Sequence, residues 1–203
     1  MNDGWLFVEI MNRMLVQNQM KKISINEYRD KFCFPIKNYY VKLGFTFENN
    51  SFEKIGTEFI EEYKKYRYDA ELYPEVIKLL KDLKNNGISN SILSAQYQPL
   101  LDDHIKYYNI GNNFLKIIGL DNHYASSKID NGFKLIQDLN IDINNILMVG
   151  DTDHDYEVAD AIGIDCILLS HGHNSISRLN STKALVVKNL SELSYFLKIQ
   201  PLN

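Results

Sequence analysis

Two kinds of hydrophobic spacing divide this chain, and they change over near residue 70. Before that point apolar positions recur at helical intervals. Phe7, Met11, Met14 and Leu15 share one face, and Phe52, Ile55, Phe59, Tyr63 and Tyr66 share another. Asn2-Asp3 offers a cap to the first of these helices, and Ser24-x-x-Glu27 has the capping-box spacing that opens a second. Pro35 starts a third, ending near Gly44. The many aromatic residues here read as packing between helices, since no glycine-rich phosphate loop accompanies them. After residue 70, short apolar runs alternate with helical patterns. Strands are predicted at Ile88–Ala95, Phe114–Gly119, Ile146–Val149, Ile164–Leu169 and Ala184–Val187. Helices begin at Pro74, run through Leu100, Leu101 and Ile105, and cover Lys128–Leu139 and Leu190–Leu197. Such alternation predicts an α/β, doubly wound parallel sheet. The expected organisation is a small helical cap subdomain over residues 1–70 and an α/β core over 71–203.

The most informative stretch is ILMVGDTDHDYEVADAI, from Ile146 to Ile162. An apolar run closed by Gly150 reads as a strand buried on both faces, and a helix with Val158, Ala159 and Ile162 on one face follows, stopped by Gly163. Between them lie Asp151, Asp153 and Asp155 with His154. In a parallel sheet, ligands sit beyond the carboxyl ends of the strands, where this loop falls. Three aspartates within five residues repel one another, and a hard divalent cation such as magnesium would hold them together. Taken singly, each aspartate is equally an ordinary helix cap. Two further polar signals occupy other strand ends. Ser94 follows Ile92-Leu93, where a hydroxyl and the turn's N–H groups could hold a phosphate oxygen. Lys128 enters a helix after the polar stretch 121–127. Alone, the serine is a turn residue and the lysine a solvated one. A hydroxyl, an ammonium and a carboxylate cluster on successive strand ends suit a phosphoryl group with its magnesium ion.

Composition narrows the classes without choosing among them. The chain has 203 residues, 45% hydrophobic and 24% charged, as in an ordinary globular protein. A net charge of −4 with no basic stripe argues against nucleic-acid binding. No apolar run reaches the ~18 residues of a membrane span, and the N-terminus lacks signal-peptide features. Cys33 and Cys166 read as separate buried thiols of a reducing cytoplasm. His171-Gly172-His173 has no carboxylate or cysteine at ligand spacing and reads as a loop near the site. His154 reads as a loop residue within reach of substrate, while His104 and His123 have no evident partner. A dinucleotide-binding domain is disfavoured because no G-x-G-x-x-G follows any strand.

In order and wording these motifs resemble the haloacid dehalogenase (HAD) superfamily, in particular its phosphoglycolate-phosphatase-like branch. ILSAQ resembles the second motif of that family, which implies Ser94 as a phosphate-binding hydroxyl. HYASSKIDNG resembles the third and implies Lys128 as the lysine that neutralises charge on the phosphoryl group and nucleophile. MVGDTDHDYEVA resembles the fourth and implies Asp151 as a magnesium ligand. Asp155 is then a second acidic residue that orders the metal site or Lys128. Residues 5–68 resemble the inserted cap, and LYPEVIKLLKDLKNNGI the helix entering the second core strand. The resemblance implies a magnesium-dependent phosphatase acting on a small phosphorylated metabolite such as phosphoglycolate, through an aspartyl-phosphate.

One motif of the family has no counterpart. Its first strand ends in Asp-x-Asp/Asn-Gly-Thr-Leu and carries the nucleophilic aspartate. In the preferred alignment Met1-Asn2-Asp3 falls just after that motif. A rival alignment lays Met1 to Leu6 on it, with Asp3 at the acid–base position and Met1 at the nucleophile. Either way the nucleophile and the first core strand are missing from residues 1–203. The expected gap lies between the strands at 88–94 and 146–149, whose facing edges lose a ladder partner. The alternative is an inactive HAD-like protein that binds phosphate or metal, or regulates.

Overall fold

In the computed structural model, which describes residues 1–48, 50–122 and 128–199, the two spacings become two kinds of architecture. Helices α1 (Gly4–Gln17), α2 (Ile25–Lys31), α3 (Ile36–Leu43) and α4 (Phe52–Tyr66) come first. Their apolar faces close on one another in a core drawn wholly from residues 6–70, with Leu6, Ile10, Leu15, Tyr28 and Tyr63 almost completely buried. The Ser24 hydroxyl accepts from the Glu27 N–H at 3.2 Å and the Glu27 carboxylate accepts from the Ser24 N–H at 2.8 Å, so the capping box forms. Asp3 occupies the N-cap position of α1, but its side chain makes no cap bond. The expectation that Asp3 caps α1 is therefore corrected. Its carboxylate turns instead to Tyr63 and His173, at 3.0 and 3.2 Å.

The α/β region follows as α5 (Val76–Asn85), β1 (Ile92–Tyr97), α6 (Gln98–Tyr107), β2 (Ile117–Leu120), α7 (Ile129–Leu139), β3 (Leu147–Gly150), α8 (Asp153–Ile162), β4 (Asp165–Leu169), α9 (Ile176–Leu179), β5 (Leu185–Val187) and α10 (Leu190–Phe196). All observed strand pairs are parallel. They form a two-stranded sheet, β1–β2, and a three-stranded sheet, β3–β4–β5. Among the described residues no ladder joins β1 to β3. Leu147 and Val149 of β3, which a covered sheet would bury, are 36% and 41% exposed. A second core unites α5 and α10 with β4 and β5 through Leu79, Leu83, Ile167, Val187 and Leu193. α8 packs on β3 and β4, and α6 on β1 and β2.

Two strands start several residues later than the spacing predicts, and the other three start one residue later. Ile88 is still closing α5, its N–H bonded to the Leu83 carbonyl at 2.9 Å, so pairing in β1 begins only at Ile92. Phe114 likewise closes the turn from Gly111 before β2 begins at Ile117. Cys33 and Cys166 are free thiols. No helix among the described residues is long and apolar enough to cross a membrane.

Candidate active site

A cavity of about 560 Å³ opens where the carboxyl ends of β1 and β3 meet the helical region. Ser94, Lys128, Asp151 and Asp155, all four singled out in the sequence, line it together with His154, His171 and His173. His104 lines it too, its Nδ1 3.1 Å from Gln96 Oε1. His123 lies outside the described residues, as do positions 123–127 of the HYASSKIDNG motif.

The acidic loop is built by its own capping box. Thr152 is the N-cap of α8, and its hydroxyl accepts from the Asp155 N–H at 3.2 Å. The Asp155 carboxylate turns back, where Oδ2 accepts from the N–H groups of Asp151 and Thr152 at 3.0 and 2.9 Å and from the Thr152 hydroxyl at 2.8 Å. Its other oxygen receives the Lys128 ammonium at 2.5 Å. Burial alone would raise the Asp155 pKa, but the charge and hydrogen bond of Lys128, with the Thr152 and backbone donors, bring it down to about 2.

Crowding of three aspartates does not demand a shared cation, contrary to the sequence-based reason for a metal. Asp155 is matched by Lys128, and Asp153 by an ion pair with Arg178. Asp151 alone is left with a carboxylate on the cavity. Its Oδ2 accepts from the His173 N–H at 2.8 Å, and among the described residues Oδ1 has no protein donor. The same region contains no group of three or more His, Cys, Asp or Glu side chains able to hold a metal ion. A magnesium ion takes one or two carboxylates and fills its remaining positions with water and phosphate oxygens. One open carboxylate oxygen on a polar wall fits that demand.

Lys128 is no solvated lysine. It is 7% exposed, and its ammonium reaches the Leu93 carbonyl of β1 at 3.2 Å as well as Asp155. It thereby spans the break between the two sheets, and among the described residues its ammonium has two acceptors for three N–H donors. Ser94 lies inside β1 rather than at its end, where the register with β2 shifts between Leu93 and Tyr97. Its hydroxyl accepts from the Gln96 N–H at 3.1 Å in a local turn, and among the described residues its own proton has no acceptor.

Two glycines make this geometry possible. A Cβ on Gly150 would stand 2.3 Å from the Asp155 side chain, and one on Gly172 would stand 1.9 Å from Asp151 Oδ2. Gly172 escaped the sequence reading, because its requirement arises from a residue 21 positions away. The Thr152-x-x-Asp155 box was legible and was also passed over. A third omission is the set Asp3, His173 and Tyr28, in which the imidazole lies 3.2 Å from Asp3 and 2.6 Å from the Tyr28 hydroxyl. Burial lowers the His173 pKa, but the hydrogen bond and charge of Asp3, with Asp151 nearby, outweigh it and raise the group above its ordinary value. Asp3 lines the cavity as well, with one oxygen accepting from Tyr63 and the other facing His173.

A hydroxyl, a buried ammonium and an acidic loop line one cavity, and a family model described as haloacid dehalogenase-like hydrolase matches residues 1–169. The chain belongs to the haloacid dehalogenase-like hydrolase family. Among curated relatives, phosphoglycolate phosphatase 1 of Pseudomonas aeruginosa is 31% identical over 142 residues, covering 66% of this chain and 50% of its own. Tyrosine-protein kinase PtkA of Mycobacterium tuberculosis is 24% identical over 123 residues, covering 60% and 42%. The chain spans about half the length of these relatives. A solved structure of a predicted phosphatase from Clostridium acetobutylicum superposes with a TM-score of 0.78 at 17% identity, covering 97% of this chain and 92% of that one. PtkA from M. tuberculosis superposes at 0.77 with 19% identity, covering 97% and 91%. At these identities the superpositions speak to the HAD-like fold.

Proposed function

We propose that this HAD-family protein is a magnesium-dependent phosphomonoester hydrolase whose nucleophilic aspartate lies on a strand outside residues 1–203. The observation that carries the reading is the convergence of Ser94, Lys128 and Asp151 on one cavity. In this reading the Ser94 hydroxyl and the free N–H of Lys128 donate to the equatorial oxygens of the phosphoryl group. Asp151 would hold the magnesium ion, which when bound offsets charge on the phosphate oxygens. Asp155 keeps Lys128 charged and aimed, and Gly172 leaves Asp151 its space.

The open edges of β1 and β3, with Leu147 and Val149 uncovered, support a further parallel strand between the two sheets. An aspartate at its carboxyl end would attack phosphorus in line, forming an aspartyl-phosphate as the P–O bond to the leaving oxygen breaks and that oxygen takes a proton from water. Water would then cleave the acyl-phosphate, returning the carboxylate and inorganic phosphate. Cytoplasmic residence and a small phosphorylated metabolite as substrate belong to the same proposal.

Chain 1–203 is expected to turn over no 4-nitrophenyl phosphate. It should nonetheless be stabilised thermally by magnesium with inorganic phosphate, an effect lost in Asp151→Asn. Magnesium-dependent hydrolysis by the pure chain would overturn the missing-nucleophile reading, and absence of any stabilisation would remove the phosphate site.

A further inference from the structure

The segment between β4 and α9 is held from two sides, and the two sides meet in one peptide group. On the core side, the His173 N–H donates to Asp151 Oδ2 at 2.8 Å, and the Asn174 N–H donates to the Asp151 carbonyl at 3.2 Å. On the helical side, Arg29 of α2 donates from Nε to the Gly172 carbonyl at 2.9 Å and from Nη2 to the His171 carbonyl at 3.1 Å. The Arg29 carbonyl in turn accepts from the Ser175 N–H at 3.1 Å, so one residue grips the segment at both ends.

The Gly172 carbonyl and the His173 N–H belong to the same peptide unit. In a trans peptide these groups point to opposite sides of a rigid plane. The guanidinium and the Asp151 carboxylate therefore sit on opposite edges of a single peptide. A positive charge at the carbonyl oxygen draws density from the nitrogen and strengthens its N–H as a donor. That N–H engages Asp151 Oδ2, and among the described residues Oδ1 is left without a protein donor. The peptide also lies directly against the carboxylate, since a Cβ on Gly172 would stand 1.9 Å from Oδ2.

We propose that Arg29 is a positioning residue for Asp151, acting through the Gly172–His173 peptide, and that the cation site is fully formed only while α2 is docked on this segment. This rests on the reading of Asp151 as a magnesium ligand. Groups that orient a metal ligand from behind typically account for about ten- to hundredfold in metal affinity.

Two measurements on chain 1–203 test it together: calorimetric titration with magnesium at saturating inorganic phosphate, and hydrogen exchange at the His173 amide without magnesium. Arg29→Ala is expected to weaken magnesium binding about tenfold. It should also speed His173 exchange about tenfold, although its side chain does not touch that N–H. Asn12→Ala controls for general loosening of the helical region, because Asn12 bonds only the backbone of Ile23 there, at 2.8 and 2.9 Å. It should lower the thermal midpoint and leave both readouts in place. Equal losses in the two variants, or an Arg29→Ala protein unchanged in either readout, overturn the assignment. Arg29→Lys keeps the charge but not the paired donors, and it serves where the alanine variant fails to fold. It should show part of both losses, and a lysine variant matching the unaltered protein overturns the proposal as well. An unaltered chain that binds no magnesium removes the metal reading and this inference with it, a result distinct from magnesium binding that ignores Arg29.

Discussion

Lys128 illustrates how a single residue can be legible in kind and hidden in circumstance. Its type and its place before a helix are in the sequence, but its burial against Asp155 and Leu93 depends on two elements remote from it in the chain. Replacing it by methionine leaves the Asp155 carboxylate buried and uncompensated, a loss of about 3–5 kcal/mol. Urea unfolding should show that cost, and Lys128→Met combined with Asp155→Asn should cost less than the sum of the two. Additive costs would mean the pair is not coupled. Asp3 makes a second prediction. Burial pushes its pKa up, but the hydrogen bond and charge of His173, the N-terminal ammonium and Tyr63 hold it well below the usual carboxylate range. A carboxylate depressed in the folded state contributes stability above its ordinary value of 3.8, and that contribution is lost as pH falls toward the folded value. The difference in thermal midpoint between the unaltered protein and Asp3→Asn should therefore shrink as pH falls from about 5 to 3. A difference constant over that range would contradict it. Nothing in the sequence singled out this aspartate for His173, because 170 residues separate them and only packing of α1 against the loop after β4 brings them together.

Among the elements, the short segment 171–175 and the α9 helix behind it link the helical region to the acidic loop. Arg29 of α2 donates to the carbonyls of Gly172 and His171 at 2.9 and 3.1 Å. Asn174, fully buried, donates to the Phe32 carbonyl at 3.0 Å and accepts from the Asp153 N–H at 2.9 Å. Arg178 of α9 joins Asp153 to the Phe32 carbonyl. Arg178→Ala should lower stability by about 1–3 kcal/mol and hasten hydrogen exchange at both Phe32–Phe34 and Asp151–Asp155, since both lose the same partner. Faster exchange at one site alone would argue against the linkage. Gly172→Ala displaces the Asp151 carboxylate and should abolish stabilisation by magnesium with phosphate while the protein still unfolds cooperatively. Retained stabilisation would show that the loop can give way. Helices α1 to α4 were readable from apolar spacing and caps, because those signals are local. The starts of β1 and β2 were not, since Ile88 and Phe114 have the composition of strand residues but complete the turns before them. The cross-links through Asn174 and Arg178 left no trace in spacing, because each joins side chains to backbone carbonyls that any residue could supply.

For the molecule as a whole, alternation of strand and helix revealed the parallel α/β class. Which strands become neighbours is a matter of tertiary pairing, and the gap between β1 and β3 was anticipated only through the family resemblance. Hydrogen exchange should register the gap. Amides of β3, with one neighbour, are expected to exchange faster than those of β4, which pairs with β3 on one side and β5 on the other. Equal protection would imply that something covers the open edge. The division of the sheet has a consequence for control. Because β1–β2 and β3–β4–β5 each keep a complete ladder of their own, an extended segment could enter or leave the space between them without breaking any strand pairing within the protein. If the proposed catalytic strand occupies that space, supplying it as a separate peptide would turn activity into a titratable output whose midpoint is the peptide's dissociation constant.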